Sequence, residues 1–583
     1  MAVTSKYANV SIQENLSWSE FVFKNVEEYG STTAIVCGST KISYTFSQVR
    51  DLSRKFGSAL SNRGIIKGDV VAILAPNVPE FAIIFLGVLQ IGGVVTGVNP
   101  HFTCQELTNQ LKESNARCIV VSHQLAHRAK ESSRVLKIDH VFIIGDDDEC
   151  ELVSDLLKED DSHLPLVTFN PREDLAILPF SIGISGLPKA VMITHYNLVS
   201  FGSLVSAEEF LDFRENSRVF TTAPFYQAFG SIAVLSLCLF RGATLISVPR
   251  FEYSKVFHLL QDHKVTHLVT EASTVHAISK HPTVDNHYLT SLTQIISSSS
   301  SLSKETSRNV IKRIPRLKRI SQSGYSMTEC TSISHMTSPM DAKDGSVGVL
   351  LPNLECKVCD VTTGQTLDRG QCGEICIRGP TVMKGYLKSQ EATDLMIDTE
   401  GWLHTGDLGY YDRDEHFFIV DKIKDLIKVR GHQVSPSELE ALLRAHPAIE
   451  DAAVVGVSNP QIGELPMAYV VSKNEDELTE MEIMQYVDEN VAPHKRLRGG
   501  VDFISTIPKA VNGEILRAEL REMYKRNKSK MQARRGSLPW NEEKRWSSKI
   551  DSIMGPSSRA QHRGTVSEEI PRNVARSQSC ALL

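Results

Sequence analysis

Nothing in this chain carries the marks of a secreted, disulfide-built or membrane-spanning protein. The N-terminus is polar and lacks the basic-then-apolar pattern of a secretory leader, so a cytoplasmic setting is expected. Eleven cysteines are scattered without framework spacing, which excludes a disulfide scaffold and predicts reduced thiols. Cys356-x2-Cys359 and Cys372-x3-Cys376 imitate a four-thiolate zinc site, yet their flanks alternate apolar and polar residues as strands do, so core thiols are expected. No internal repeat is visible. The run from Phe81 to Val98 lacks charge, but it holds Gly87, Gly92, Gly93 and Gly97 and follows Pro76 and Pro79. That punctuation predicts a buried helix turning into a buried strand, not a membrane span.

What is present points to a large enzyme-sized body. A length of 583 residues exceeds what one core supports, so two or more domains are expected. β-rich apolar runs at Val70–Leu74, Cys118–Val121 and His140–Ile144 alternate with helical stretches, which predicts stacked α/β layers with largely parallel sheets. Glycine-separated short strands from Gly345 to Gly379 predict a β-rich subdomain. Beyond Lys424, a helix near 436–446, a strand near 451–457 and a helix near 479–491 make a small, mobile α+β domain. The expected organisation is a large domain over 1–422, a small lid domain over 423–521 and a disordered basic tail over 522–583. From Arg521 onward the chain has fourteen Lys and Arg against six Asp and Glu, within a net charge of −6 for the whole. The remaining body is therefore acidic, which argues against nucleic acid as a partner, and the tail suits an anionic surface.

The residues that carry chemistry fall in a fixed order. Tyr325-Ser-Met-Thr328-Glu329 is followed by Gly401-Trp-Leu-His-Thr-Gly-Asp407, then by Asp421-Lys422-Ile-Lys424-Asp-Leu-Ile-Lys428. Together, from about Leu16 to about Arg521, these resemble the adenylate-forming superfamily of acyl-CoA synthetases, coumarate-CoA ligases and beetle luciferases. The resemblance implies ATP, magnesium and a carboxylic acid bound at the domain interface, with CoA as acceptor and a fatty, branched or aromatic acid as substrate. Ser181-Ile182-Gly183-Ile184-Ser185-Gly186-Leu187-Pro188-Lys189 resembles the loop that wraps the β- and γ-phosphates, where backbone N–H groups form an anion nest. It is not a Walker sequence, since no Gly-Lys-Ser/Thr follows. Ser181, Gly183, Ser185, Gly186 and Lys189 are the nucleotide-binding candidates there. The resemblance makes Tyr325 the adenine-stacking aromatic, Thr328 a phosphate-touching hydroxyl and Glu329 the magnesium carboxylate. Asp407 is the ribose carboxylate with Lys422 beside it, and Lys424 is the hinge of the small domain. Lys428, Arg430, Gly431 and Gln433 serve the thioester step, the last three against CoA. Thr328, Glu329 and Lys428 are the catalytic candidates.

Several positions depart from the family pattern. Ile182 and Ile184 replace hydroxyl residues, Ala190 replaces a glycine, and Lys422 replaces an arginine, keeping the charge but losing the two-donor fork. Glu514 stands where the resemblance puts the lysine that donates to the α-phosphate, with Lys509 a nearby candidate substitute. In the acyl pocket, read as Gln227, Ser298, Ser299 and Gly324, glutamine replaces a frequent histidine, and Ser297 to Ser301 replace a glycine-rich wall. A narrower, more polar pocket is expected, poorly suited to a large aromatic acid. The best reading is an ATP-dependent acid–CoA ligase. A nucleotide- or acyl-binding pseudoenzyme acting as a membrane-tethered scaffold stays open on the strength of Glu514, Ile182 and Ile184, and a luciferase-like monooxygenase has no positive feature. The final Cys580-Ala-Leu-Leu fits the C-a-a-X pattern, which predicts geranylgeranylation at Cys580 and attachment to a cytoplasmic membrane face, aided by the basic run Lys525–Arg535. The ending is not a Ser-Lys-Leu peroxisomal address.

Overall fold

Alternation along the predicted strands decides the layering. In Val70–Leu74, Val71 and Ile73 enter one core while Val70, Ala72 and Leu74 enter another, as a strand covered on both faces requires. The same split recurs in a second sheet, where Val219, Val269 and Ile296 face the shared core and Phe220, Leu268 and Ile295 face outer helices. These positions belong to a computed structural model, which describes residues 2–181, 188–207, 210, 213–280, 289–298, 304–322, 324–338, 343–429, 432–459, 463–473, 478–510 and 515–535.

Among the described residues the first sheet has nine strands. Its middle is parallel, ordered Leu175–Ile177, Val94–Gly97, Val70–Leu74, Ala116–Ser122, His140–Ile144, with Lys189–Thr194 antiparallel at one side. The second sheet has seven strands, parallel from Arg319–Gln322 to Thr33–Cys37 with Ser43–Thr45 antiparallel at the edge. Helices pack between and outside the two. The stacked, largely parallel α/β fold expected from the sequence is the fold observed.

The charge-free run resolves as expected into the buried helix Glu80–Gln90 and the strand Val94–Gly97. Phe81 through Leu89 are all buried, because this helix lies inside the shared core. A Cβ on Gly87 would come within 2.7 Å of the Ser53 carbonyl oxygen, so glycine is what lets it press on the helix Phe46–Asn62. Among the described residues no helix is long and apolar enough to cross a membrane.

The zinc-like spacing dissolves in three dimensions. Cys356 enters the main core, Cys359 and Cys376 pack with Trp402 elsewhere, and Cys372 is exposed, so the four thiols do not converge. Their strands belong to a five-stranded antiparallel sheet ordered Val3–Thr4, Glu355–Cys359, Gly373–Arg378, Leu403–Tyr411, Phe417–Lys422.

The chain divides into two compact units, Met1–Leu426 with Lys509–Glu514, and Ile427–Pro508 with Ile515–Leu583. In the second unit, the long hairpin Ile449–Asn459 and Gly463–Ser472 carries the helices Pro436–Arg444 and Glu480–Asn490 over one apolar core. On the hairpin's other face lie Leu520, Met523 and Tyr524 of the helix Arg517–Arg535. That helix runs through position 522, where composition predicts the start of a disordered tail. The 520, 523 and 524 spacing gives it an apolar stripe that composition alone hides.

Within this unit Glu440 and Arg517 form an ion pair at 2.8 Å, with side chains only 3% and 10% exposed. Glu440 also accepts the Val454 N–H at 2.9 Å. Removing one partner of a buried pair strands the other's charge, so Glu440→Ala should destabilise the second unit by about 3 kcal/mol. Hydrogen exchange of the Ile449–Ser472 hairpin amides measures this, and unchanged protection would contradict it.

Candidate active site

Two strands from different sheets meet at the hydrogen bond between Tyr325 and Asp407. Tyr325 starts the strand Tyr325–Met327, which pairs antiparallel with Ser332–Met336. The preceding Gly324 has φ +110°, and a Cβ there would lie 1.9 Å from the His335 carbonyl oxygen, so only glycine permits this approach. The buried Tyr325 hydroxyl donates to Asp407 Oδ2 at 2.5 Å. Burial first, and the nearby Asp407 charge second, hold the phenol pKa well above its usual value, so it stays a donor. Asp407 faces Lys422 directly across the antiparallel pair of Leu403–Tyr411 and Phe417–Lys422, which puts the lysine beside the carboxylate.

Thr328 and Glu329 occupy the 3₁₀ turn that follows, Thr328–Cys330. Thr331, at φ 53°, closes the turn and donates its hydroxyl to the Thr381 carbonyl at 2.7 Å, while the Met383 N–H bonds the Glu329 carbonyl at 2.9 Å. Glu329 is 3% exposed, and its Oε1 accepts the Tyr386 hydroxyl at 2.8 Å. A buried carboxylate with one oxygen held by a neutral donor is a fit ligand for a hard cation such as Mg2+.

Tyr386 is one residue that sequence reasoning missed. It lies on Gly385–Tyr386, which pairs with Lys189–Thr194 through Val191, and the Lys189 ammonium stands 6.0 Å from its ring centroid. Burial, then the Glu329 charge, push its phenol pKa up. The only local signal was the Gly-Tyr step itself, since a tyrosine that bonds a carboxylate 57 positions away leaves no periodic trace. Ser181 and Lys189 are register partners in a short antiparallel pair, so the two ends of the glycine-rich loop are held together. Gly183, Ser185 and Gly186, with Ile182 and Ile184, lie outside the described residues.

The acyl-pocket candidates are less tightly gathered. Asn77 clamps the Ala223–Phe225 segment with two 2.8 Å bonds, to the Ala223 carbonyl and from the Phe225 N–H. Two residues on, Gln227 is exposed, its backbone N–H bonded to the Pro224 carbonyl at 3.1 Å. Ser298 is half-buried and donates to the Thr270 carbonyl at 3.3 Å. Ser297 and Ser298 are consecutive on one strand and so face opposite sides of the sheet. Both lie on the strand Gln294–Ser298, so their hydroxyls leave it on different faces. Ser299 lies outside the described residues.

Lys424 is exposed in the short 3₁₀ turn Ile423–Asp425 of the first unit. In the second unit Lys428 is exposed and sits opposite Gln433 in a tight antiparallel pair, its backbone N–H bonded to Glu464 Oε2 at 2.9 Å. Arg430, Gly431, Glu514 and Cys580 fall outside the described residues.

Comparison with known proteins gives the family of the chain. The family model for the AMP-binding enzyme matches residues 22–387, and that for the AMP-binding enzyme C-terminal domain matches 438–514. A 4-coumarate–CoA ligase of Vanilla planifolia is 39% identical over 529 residues, covering 89% of this chain and 95% of the relative. 4-Coumarate–CoA ligase 4 of Arabidopsis thaliana is 38% identical, covering 89% and 93%. Among solved structures, the anthranilate CoA ligase AuaEII in complex with anthranoyl-AMP superposes with a TM-score of 0.79 at 24% identity, covering 89% of this chain and 99% of that one. ATP-bound MatB from Rhodopseudomonas palustris gives the same score, covering 88% and 99%. The tyrosine–aspartate contact and the buried turn glutamate thus sit in a chain that belongs to the AMP-binding, adenylate-forming enzyme family.

Proposed function

We propose that this protein is an ATP-dependent acid–CoA ligase, on the observation that two side-chain groups, Tyr325 with Asp407 and Glu329 with Tyr386 and Lys189, are brought together by the one strand and turn that carry Tyr325 and Glu329. The reaction has two steps. A carboxylate oxygen of the acid attacks the α-phosphorus of ATP, the bond to the β-phosphate oxygen breaks, and pyrophosphate leaves. The CoA thiol, losing its proton, then attacks the acyl carbon and AMP departs. Mg2+ bound at Glu329 would neutralise charge on the phosphates.

The chain's own groups account for binding and orientation. Asp407 accepts from ribose hydroxyls, with Tyr325 fixing one of its oxygens and Lys422 balancing its charge. Tyr386 holds Glu329 in one rotamer, and Lys189 carries positive charge at the end of the phosphate loop. Thr328 offers a hydroxyl to phosphate from the same turn. Lys428, Arg430, Gly431 and Gln433 serve the thioester step, after rotation about Lys424. The comparisons give the scaffold alternative no support. Relatives named for 4-coumarate and anthranilate make aromatic acids the first to try, although the serines and Gln227 favour a smaller or more polar one. Pyrophosphate release across a panel of aromatic, branched and fatty acids, with and without CoA, tests activity and substrate together, and no release with any acid would overturn the proposal.

Three variants probe the parts. Asp407→Ala removes hydrogen bonds to a charged group and should weaken ATP binding by about tenfold to a hundredfold in calorimetry. Equal affinity would move the ribose site elsewhere. Tyr386→Phe leaves Glu329 Oε1 buried without its donor, so the Mg2+ concentration for half-maximal adenylation should change about threefold or more, the KM for the acid staying as it was. A Mg2+ titration identical to the parent's would deny Tyr386 this role. Glu514→Lys restores the cation that offsets charge growing on the α-phosphate, an interaction of a kind whose loss elsewhere costs roughly a hundred- to a thousandfold. Adenylation should speed up by about tenfold or more, while thioester formation from presynthesised acyl-adenylate changes little. No gain in the first step would mean that another cation fills the place.

A further inference from the structure

The strand that carries Asp407 is not regular. In its pairing with Gly373–Arg378, Glu374 stands opposite Leu408 and Cys376 opposite His404. Two steps on one strand thus match four on the other, and Thr405, Gly406 and Asp407 arch out where Ile375 alone faces them. Gly406 has φ +71°, the left-handed conformation that such an arch needs and that glycine adopts freely. Bulges of this kind re-aim a side chain beside a functional site.

One carboxylate holds the arch. Glu374 Oε1 accepts the Gly406 N–H at 3.0 Å, and Oε2 is bonded by His404 Nδ1 at 2.9 Å. Thr405 closes it from the inside, its hydroxyl donating to the Ile375 carbonyl at 2.7 Å and accepting the Asp407 N–H at 3.1 Å. On the far side of the imidazole, Asp398 Oδ2 lies 3.5 Å from His404 Nε2, so the ring is held between two carboxylates. Cys376 Sγ, 3.5 Å from His404 Nδ1, completes a Glu–Cys–His trio with the composition of a metal site. Both Glu374 oxygens are already engaged by the Gly406 N–H and the imidazole, so the arrangement is complete without an ion.

We propose that Glu374 is a positioning residue for the nucleotide: by bonding Gly406 and His404 together it holds the arch that aims Asp407 toward Tyr325 and the ribose. This rests on the reading of Asp407 as the ribose carboxylate. Glu374 touches no substrate and acts only through the strand opposite it. Its loss should therefore appear in ATP affinity and not in the chemical step.

The test is steady-state pyrophosphate release and ATP calorimetry on the full-length protein and its Glu374→Ala, Glu374→Asp, Glu374→Gln, Cys376→Ser and Asp407→Ala variants. Glu374→Ala should raise the KM for ATP about tenfold, with kcat at saturating ATP within about threefold of the parent and the KM for CoA unchanged. Glu374→Asp keeps the charge but is one methylene too short to span both partners, and should show the same direction if the alanine variant does not fold. Glu374→Gln retains an oxygen for the Gly406 N–H and should return the KM to within about threefold of the parent. Cys376→Ser disturbs the same cluster without touching the arch and should leave the KM for ATP within about twofold. An unchanged KM in Glu374→Ala and Glu374→Asp, or a fall in kcat without a rise in KM, would overturn the positioning role, as would a glutamine variant as impaired as alanine. If Asp407→Ala loses ATP affinity while the Glu374 variants keep it, only the positioning role fails. If Asp407→Ala binds ATP as the parent does, the ribose assignment itself fails.

Discussion

The hydrogen bond from the buried Tyr325 hydroxyl to Asp407 ties together two sheets that also meet where Phe417 bridges to Gly348 and packs on His335. Burial keeps the phenol protonated and so keeps the bond one-directional, from tyrosine to carboxylate. For it to form, Gly324 must let one strand press against the His335 backbone, and the arch at 405–407 must release Asp407 from pairing with Gly373–Arg378 while it stays opposite Lys422. Each of these is a local departure from regular β structure. Their agreement at one contact is what makes the site a site.

A second set of contacts leads from the same turn to the phosphate loop. Glu329 follows Tyr325 by four residues, is gripped by Tyr386, and through that ring stands near Lys189 at the loop's C-terminal end. The short pairs Ser181 with Lys189 and Val191 with Tyr386 hold Lys189, Tyr386 and the start of the glycine-rich loop at one sheet edge. Negative charge at Glu329 and Asp407 is thus met by hydroxyl donors and by lysines placed on neighbouring strands, so the site combines two carboxylates without placing them against each other.

What could be read from the sequence follows the range of the interactions involved. Strands such as Val70–Leu74 and the buried helix after Pro79 were legible because periodicity and punctuation are local signals. Tyr325, Glu329, Asp407 and Lys422 were legible because family motifs name them, and the structure brings Tyr325, Asp407 and Lys422 together. Tyr386 and Glu374 were not, since each works through a partner distant in sequence, and the family-like run Gly373–Gly379 that holds Glu374 gives it no role. Cysteine spacing misled for the opposite reason: strand alternation and an exposed turn send Cys356, Cys359 and Cys372 in different directions, which no count of intervening residues reveals. The apolar stripe at Leu520, Met523 and Tyr524 was likewise hidden by the basic composition around it.

The central claim is that this chain forms an acyl-adenylate, and isotope transfer tests it most directly. The best acid from the panel, labelled with oxygen-18 in its carboxylate, is incubated with ATP, Mg2+ and CoA, and the nucleotide product is weighed by mass spectrometry. Attack on the α-phosphorus followed by cleavage to the thioester predicts AMP carrying one labelled oxygen. Unlabelled AMP, or ADP as the product, would contradict the account.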